Sequence, residues 1–315
     1  MSQPFFSRRQ LLQGAAGAAG AVALSQAASA QKKAAEKGNI HQSIVHWCFA
    51  DYWDVKKTAA IAKQLGVESI ELIPPEDWGP LKKHGLKCAL APSHLFMQGM
   101  NNPKYQEPCI EMMKKSIDAC ADAGFPTVIT FTGFAEETGE WAGGQNPDVS
   151  KLPKKERRVI DPEEGAKNCV AGFKKIVGYA EKKKINLSLE MLNSRVGDHP
   201  MKGHPGYQGD HVDYCMDIIK KVGSPRFGLL FDIYHVQIMD GDIIKRIHEC
   251  GEAINHVHTA GNPGRCELNE AQEINYPPCM KALLEIGYKG YVGQEFICTG
   301  DPLQGLTDAV KLCDV

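Results

Sequence analysis

FGLLFDIYH, residues 227–235, is an apolar run broken by a single carboxylate, and its reading decides the fold. Phe227, Leu229, Leu230 and Phe231 suit a strand buried on both faces, as in parallel sheets covered by helices. An ionised Asp232 inside such a run is costly unless it is paired or metal-bound. Three further segments repeat the pattern: INLSLEMLN at 185–193 carries Glu190, INHVHTAG at 254–261 carries His258, and GYVGQEFI at 290–297 carries Glu295. Four such side chains, arriving in order on successive strands, predict one shared site. Two glutamates, an aspartate and a histidine form a mostly hard ligand set, which favours Mn2+ or Mg2+, with Co2+ and Zn2+ as weaker candidates.

Outward from these strands the chain alternates strand and helix. Further strands are expected at 44–50, 69–73, 87–91 and 127–132, and helices at 54–65, 80–84, 105–123, 162–183, 210–222, 242–250, 277–286 and 303–312. Asp54 is the expected N-cap of the first helix and Gly66 its stop. Eight such units predict a (β/α)8 TIM barrel of the α/β class. No G-x-G-x-x-G follows the first strand, which argues against a doubly wound sheet. Two long irregular stretches, 133–160 and 193–209, are expected to face the substrate. Barrel enzymes place their chemistry at the C-terminal ends of the strands, where all four candidate ligands fall.

The 315 residues fit one such barrel, spanning about 36–315. A net charge of −2 gives no basic surface for nucleic acid or for a membrane. Residues 1–35 are read as a leader: paired Arg8-Arg9, an apolar stretch at 14–24 and Ala28-Ser29-Ala30 form a twin-arginine-type export signal. The stretch is too short and glycine-rich for a membrane span. This reading implies the twin-arginine export machinery as partner and a periplasmic location. The eleven cysteines are scattered without C-x-x-C spacing and are expected as free thiols packed in the core. A homo-oligomer is compatible with the chain and not specified by it.

Strand parity places Ser188 with Glu190, Leu230 with Asp232, His256 with His258, and Gly293 with Glu295. Small Ser188 and Gly293 are expected to leave room beneath the glutamates. His256, one layer deeper, is expected to support His258 rather than bind a ligand directly. His94 after the third strand, His235 at the end of the sixth and Arg265 in the loop after the seventh are candidate substrate contacts. Arg265 is placed there as a fork for a carboxylate. Glu71 is expected in a structural ion pair, and His46 and Trp47 on the pocket wall.

Two opposed glutamates around a divalent cation suit proton transfer next to a carbonyl: one removes a proton and the other returns it to the neighbouring carbon or the opposite face. The segments SIVHWCF (43–49), LSLEMLNSR (187–195), FDIYH (231–235), HVHTAGNPGR (256–265) and EINYPPCMKALLEIGYKGYVGQEF (273–296) together resemble the hydroxypyruvate isomerase family, within the xylose-isomerase-like barrel superfamily. The resemblance runs from about residue 40 to 297 and is most specific at 273–296. It implies Glu190 and Glu295 as the acid/base pair, and Glu190, Asp232, His258 and Glu295 as the metal set. It also implies a small-molecule substrate, with hydroxypyruvate converted to tartronate semialdehyde. The alternatives are a ketose 3-epimerase or sugar isomerase, an endonuclease IV-like metal nuclease, and a non-catalytic exported sugar-binding barrel.

Overall fold

The computed structural model describes residues 33–148, 157–198 and 200–315. Residues 1–32 of the expected leader lie outside the described residues, whereas Ala34 and Ala35 N–H donate to Leu65 O at 2.9 and 3.0 Å and belong to the barrel. Seven parallel strands form one curled sheet: β1 (His41–Val45), β2 (Ser69–Glu71), β3 (Thr127–Thr130), β4 (Asn186–Glu190), β5 (Phe227–Asp232), β6 (Ile254–Thr259) and β7 (Tyr291–Gln294). Their order is β2-β1-β7-β6-β5-β4-β3. The third expected strand, 87–91, stands between the two edges as an extended segment rather than a full ladder. It bridges Ser69 through Lys87 and Val128 through Ala91. Leu72 N–H donates to Leu90 O at 2.8 Å and Ile129 N–H to Ala91 O at 3.0 Å, so the segment closes the ring. The chain is therefore a TIM barrel.

Ten helices clothe it among the described residues: α1 (Val55–Leu65), α2 (Gly79–His84), α3 (Pro103–Ala123), α4 (Pro162–Lys174), α5 (Val177–Lys183), α6 (Val212–Val222), α7 (Ile233–Met239), α8 (Ile243–Cys250), α9 (Tyr276–Glu285) and α10 (Pro302–Cys313). Asp54 caps α1 by accepting from Lys57 N–H, and Gly66 ends it in the left-handed conformation, as expected. Three expectations need correction. The helix expected over 162–183 breaks at Lys175-Ile176 into α4 and α5. The strand expected over 227–235 stops at Asp232, because the Asp232 carboxylate accepts from Tyr234 N–H and His235 N–H and so starts α7. His46 and Trp47 leave β1 and sit on the 3-10 turn that follows it.

The main core lies between the strands and the helices and includes Ile44, Ile70, Phe173, Leu229 and Val257. A second apolar cluster (Leu90, Ile129, Phe131, Leu192, Tyr207 and Leu230) fills the barrel mouth on one side. All eleven cysteines are free; Cys266 and Cys298 are half-buried and the rest are buried. The residues just beyond α10 are joined to the segment just before β1. The Asp314 carboxylate accepts from Glu36, Lys37 and Gly38 N–H at 2.7, 2.8 and 3.1 Å, and Asn39 Nδ2 donates to Val315 O at 2.8 Å.

Candidate active site

Four strand ends converge. In the sheet register Asp232 lies opposite His258, and His258 lies opposite Gly293. Glu190 closes β4, and Glu295 follows β7 directly. The ligand atoms of Glu190, Asp232, His258 and Glu295 lie within 4.8 Å of one another, all buried. His258 Nδ1 is 2.9 Å from Glu295 Oε2 and 3.4 Å from Glu190 Oε1. The carboxylates therefore point at a common centre.

His258 is held from beneath. Its Nε2 is 3.0 Å from Glu71 Oε2, and His256 Nε2 is 2.6 Å from the same oxygen. Burial opposes charge on Glu71, but the two histidines beside it bring its pKa down to about 2. An ionised carboxylate only accepts, so His258 Nε2 carries the proton facing it and Nδ1 faces the site. His258 Nδ1 has no well-aligned hydrogen-bond partner. An acceptor facing two carboxylates requires positive charge between them: a second proton on the ring or a bound cation. Burial lowers the pKa of His258, yet the Glu295 and Glu71 charges raise it well above the usual imidazole value. The donor chemistry, three carboxylates and one imidazole nitrogen, thus fits a hard divalent ion. Glu71 is both the structural ion-pair partner expected from sequence and the support of His258.

Glycine at 293 makes this stack fit. A Cβ there would collide with Glu71 Oε1 and lie 2.8 Å from His258 Cδ2. Asp232 is fixed at one oxygen: Oδ1 caps α7, while Oδ2 lies 3.9 Å from Arg265 Nη2. Burial, then the nearby Glu295 charge, raises its pKa to about 7. The same causes raise Glu190. For Glu295, burial is outweighed by His258 and Arg265, which hold its carboxyl well below the ordinary range.

Arg265 is buried at 2% exposure, and its left-handed backbone (φ 56°) turns it inward. Nη2 donates to Glu295 Oε2 at 2.6 Å and Nη1 to Met201 O at 2.5 Å. The guanidinium lies over the rings of Trp47 (5.1 Å) and Tyr234 (5.8 Å), and Nε has no partner. Trp47 Nε1 donates to Glu295 Oε1 at 2.9 Å, so both oxygens of Glu295 are anchored.

Above the centre lies a cavity of about 370 Å³ that includes Glu190, Glu295, Arg265, Trp47 and His94 in its wall. His94 reaches the cavity, but its ring nitrogens are taken: Nε2 is 2.9 Å from Thr130 Oγ1 and Nδ1 is 3.1 Å from Leu95 O. It presents a ring, not a donor. His235 does not reach the cavity. It is fully buried in the first turn of α7, where Nδ1 accepts from Asn193 N–H at 3.1 Å. Its Nε2 is 3.5 Å from Asp232 Oδ2, beyond an aligned hydrogen bond, so the ring packs beside that carboxylate rather than on the cavity wall. His46 also lies off the cavity wall, 3.3 Å from Thr58 Oγ1.

Sequence reasoning missed His204, which lines the cavity and packs at a tilt against Phe96 with ring centroids 4.3 Å apart. No spacing signals it; Asn193 O holds its N–H at 2.7 Å and folds the loop over the mouth. Of the long loop after β3, Asn146 reaches the wall.

The chain belongs to the xylose isomerase-like TIM barrel family, whose model matches residues 59–314. A human protein provisionally named a hydroxypyruvate isomerase is 39% identical over 119 residues, 38% of this chain and 41% of its own length. The 2-oxo-tetronate isomerase of Cupriavidus necator is 31% identical over 112 residues, covering 36% and 40%. The hydroxypyruvate isomerase of Escherichia coli is 32% identical over 92 residues, covering 29% and 35%. The matched stretches span less than half the length of these curated relatives. Among solved structures, a family 2 AP endonuclease from Brucella melitensis superposes with TM-score 0.67 at 22% identity, covering 85% of this chain and 96% of that one. A 3-keto-D-glucoside 4-epimerase from E. coli gives 0.66 at 16% identity, covering 87% and 98%. These two likenesses concern the fold.

Proposed function

We propose that this chain is an isomerase that moves a proton between adjacent carbons of a small hydroxy-carbonyl acid. The favoured reaction converts hydroxypyruvate to tartronate semialdehyde (2-hydroxy-3-oxopropanoate). The observation that carries the reading is the convergence of Glu190 and Glu295 from different strands on one buried centre with Asp232 and His258. One glutamate takes the C3 proton, and the other delivers a proton to C2; the O3 hydroxyl proton passes to O2, so the atoms balance. A divalent ion held by the four residues would bind the two substrate oxygens and stabilise the enediolate charge. Trp47 and Arg265 keep Glu295 in one orientation for the transfer. Arg265 lines the cavity, which supports the expectation that this side chain also meets the substrate carboxylate. The relatives' names as isomerases support the same class. The net charge of −2 argues against a nuclease groove.

The test is solvent-deuterium exchange into hydroxypyruvate, ketoses and their phosphates, with and without Mn2+. Glu190→Gln and Glu295→Gln should each lower exchange by about 10²-fold or more while leaving the fold intact. Full exchange in either variant removes the acid/base assignment. Arg265→Ala should weaken acids selectively, and equal loss on neutral ketoses would dismiss the carboxylate contact.

A further inference from the structure

The cavity has two unlike halves. The charged groups sit on the side of β4 to β7. The opposite wall, built from the end of β2, the 87–91 segment and β3 with the residues after them, presents Leu72, Phe96, Ile129 and Phe131, and Leu192 beyond β4 adjoins it. The polar side chains on that side are mostly engaged. His94 has both nitrogens occupied, and Ser93 Oγ donates to Ile129 O at 2.5 Å. His204 alone on this wall is buried, at 5% exposure, with no side-chain hydrogen bond among the described residues; Asn146 stands at the exposed rim.

Leu72 makes the apolar wall more pointed. Its backbone is left-handed (φ 57°), a conformation that favours glycine or asparagine and is strained for leucine. A leucine placed there against its backbone preference extends a hydrophobic side chain into the cavity lining. A volume of about 370 Å³ matches sites that enclose drug-sized ligands and exceeds what a three-carbon acid fills.

Building on the isomerase reading above, the geometry points to a substrate whose reacting end is a 2-oxo-3-hydroxy acid and whose far end is apolar, not a polyol. A sugar chain here would bury hydroxyls against Leu72, Ile129 and Phe131 with one imidazole to receive them, and each unpaired hydroxyl is disfavoured. An alkyl or aryl tail would instead gain from burial, roughly fourfold in affinity per methylene. The reaction is unchanged: R–CHOH–CO–COO⁻ becomes R–CO–CHOH–COO⁻, with the C3 proton leaving and a proton arriving at C2.

The experiment compares 3-hydroxy-2-oxohexanoate with 3,4,5,6-tetrahydroxy-2-oxohexanoate, the same six-carbon skeleton with and without tail hydroxyls, and with hydroxypyruvate, which has no tail. The full chain supplied with Mn2+ is assayed by deuterium exchange for kcat/KM and by calorimetry for binding. The expected result is a preference for the apolar six-carbon acid on the order of 50-fold over hydroxypyruvate, with the tetrahydroxy acid weaker than both. Leu72→Asn, which suits the left-handed backbone, should shrink the ratio between the apolar acid and hydroxypyruvate about tenfold. Equal or tighter binding of the tetrahydroxy acid overturns the inference even where no acid exchanges. Selective binding of the apolar acid with no exchange of any acid leaves the inference standing and removes the isomerase reading instead.

Discussion

Glu71 shows how one residue sets the state of another. Its Oε2 meets both His256 and His258, and it is completely buried. Removing the charge leaves His258 without the partner that fixes its ring. Glu71→Gln should lower affinity for Mn2+ by about 10–100-fold, read by calorimetric titration; unchanged affinity would mean that the ring is held by packing alone. Gly293→Ala tests the same stack from its other side, because the added methyl collides with Glu71 and His258. At this scale the sequence was informative where a residue type is energetically costly. Glu190, Asp232, His258 and Glu295 were legible because charged or titratable groups in apolar strands demand a reason. Trp47 was expected on the pocket wall and lines it, but its bond to Glu295 carried no signal, and His204 was not legible, because a histidine in a loop has many ordinary explanations. The role of His235 was hidden too: an all-buried run from Phe231 to Val236 has no periodicity by which to tell strand from helix.

At the scale of elements, caps and glycines marked most boundaries, as Asp54, Gly66 and the Asp301 cap of α10 illustrate. The break between α4 and α5 went unmarked because neither glycine nor proline stands at Lys175-Ile176, and buried Phe173, Ile176, Val177 and Ala180 continue a helical stripe across it. The segment 87–91 was legible as extended chain, while its thin pairing depends on neighbours that only the closed ring supplies. The end of α5 offers a clean test of element energetics. Lys184 caps it in the left-handed conformation (φ 59°, ψ 32°) and is exposed. Lys184→Gly should stabilise the protein by about 1 kcal/mol, measured as a shift in the urea midpoint at constant slope. A destabilised variant would show that the lysine stem packs more than its exposure implies.

Over the whole molecule, burying so many imidazoles couples stability to acid. Burial lowers His94 to about 4 and His204 to about 3, and His235 and His256 are lowered for the same leading reason. An unfolded chain takes up protons at these rings near pH ~6.5, and the folded chain does not. The contribution of these four rings should therefore hold above about pH 7 and be lost as the pH drops through about 6.5 toward 4, while the raised Asp232 and Glu190 carboxyls work in the opposite direction. His94 alone accounts for about 3 kcal/mol of that loss at full effect. Denaturant melts between about pH 4 and 7 check this, and His94→Gln should give a shallower slope in that window. An unchanged slope in the variant would contradict the assignment of a neutral ring at His94.

The Asp314 carboxylate, seated on three consecutive N–H groups at residues 36–38, brings the last turn of α10 alongside the start of β1. The barrel is in effect already sewn shut at that seam. Circular permutation should be tolerated: a short glycine tether from 315 to 36, with new ends cut at the exposed Gly287 turn, leaves every residue around the catalytic mouth in place.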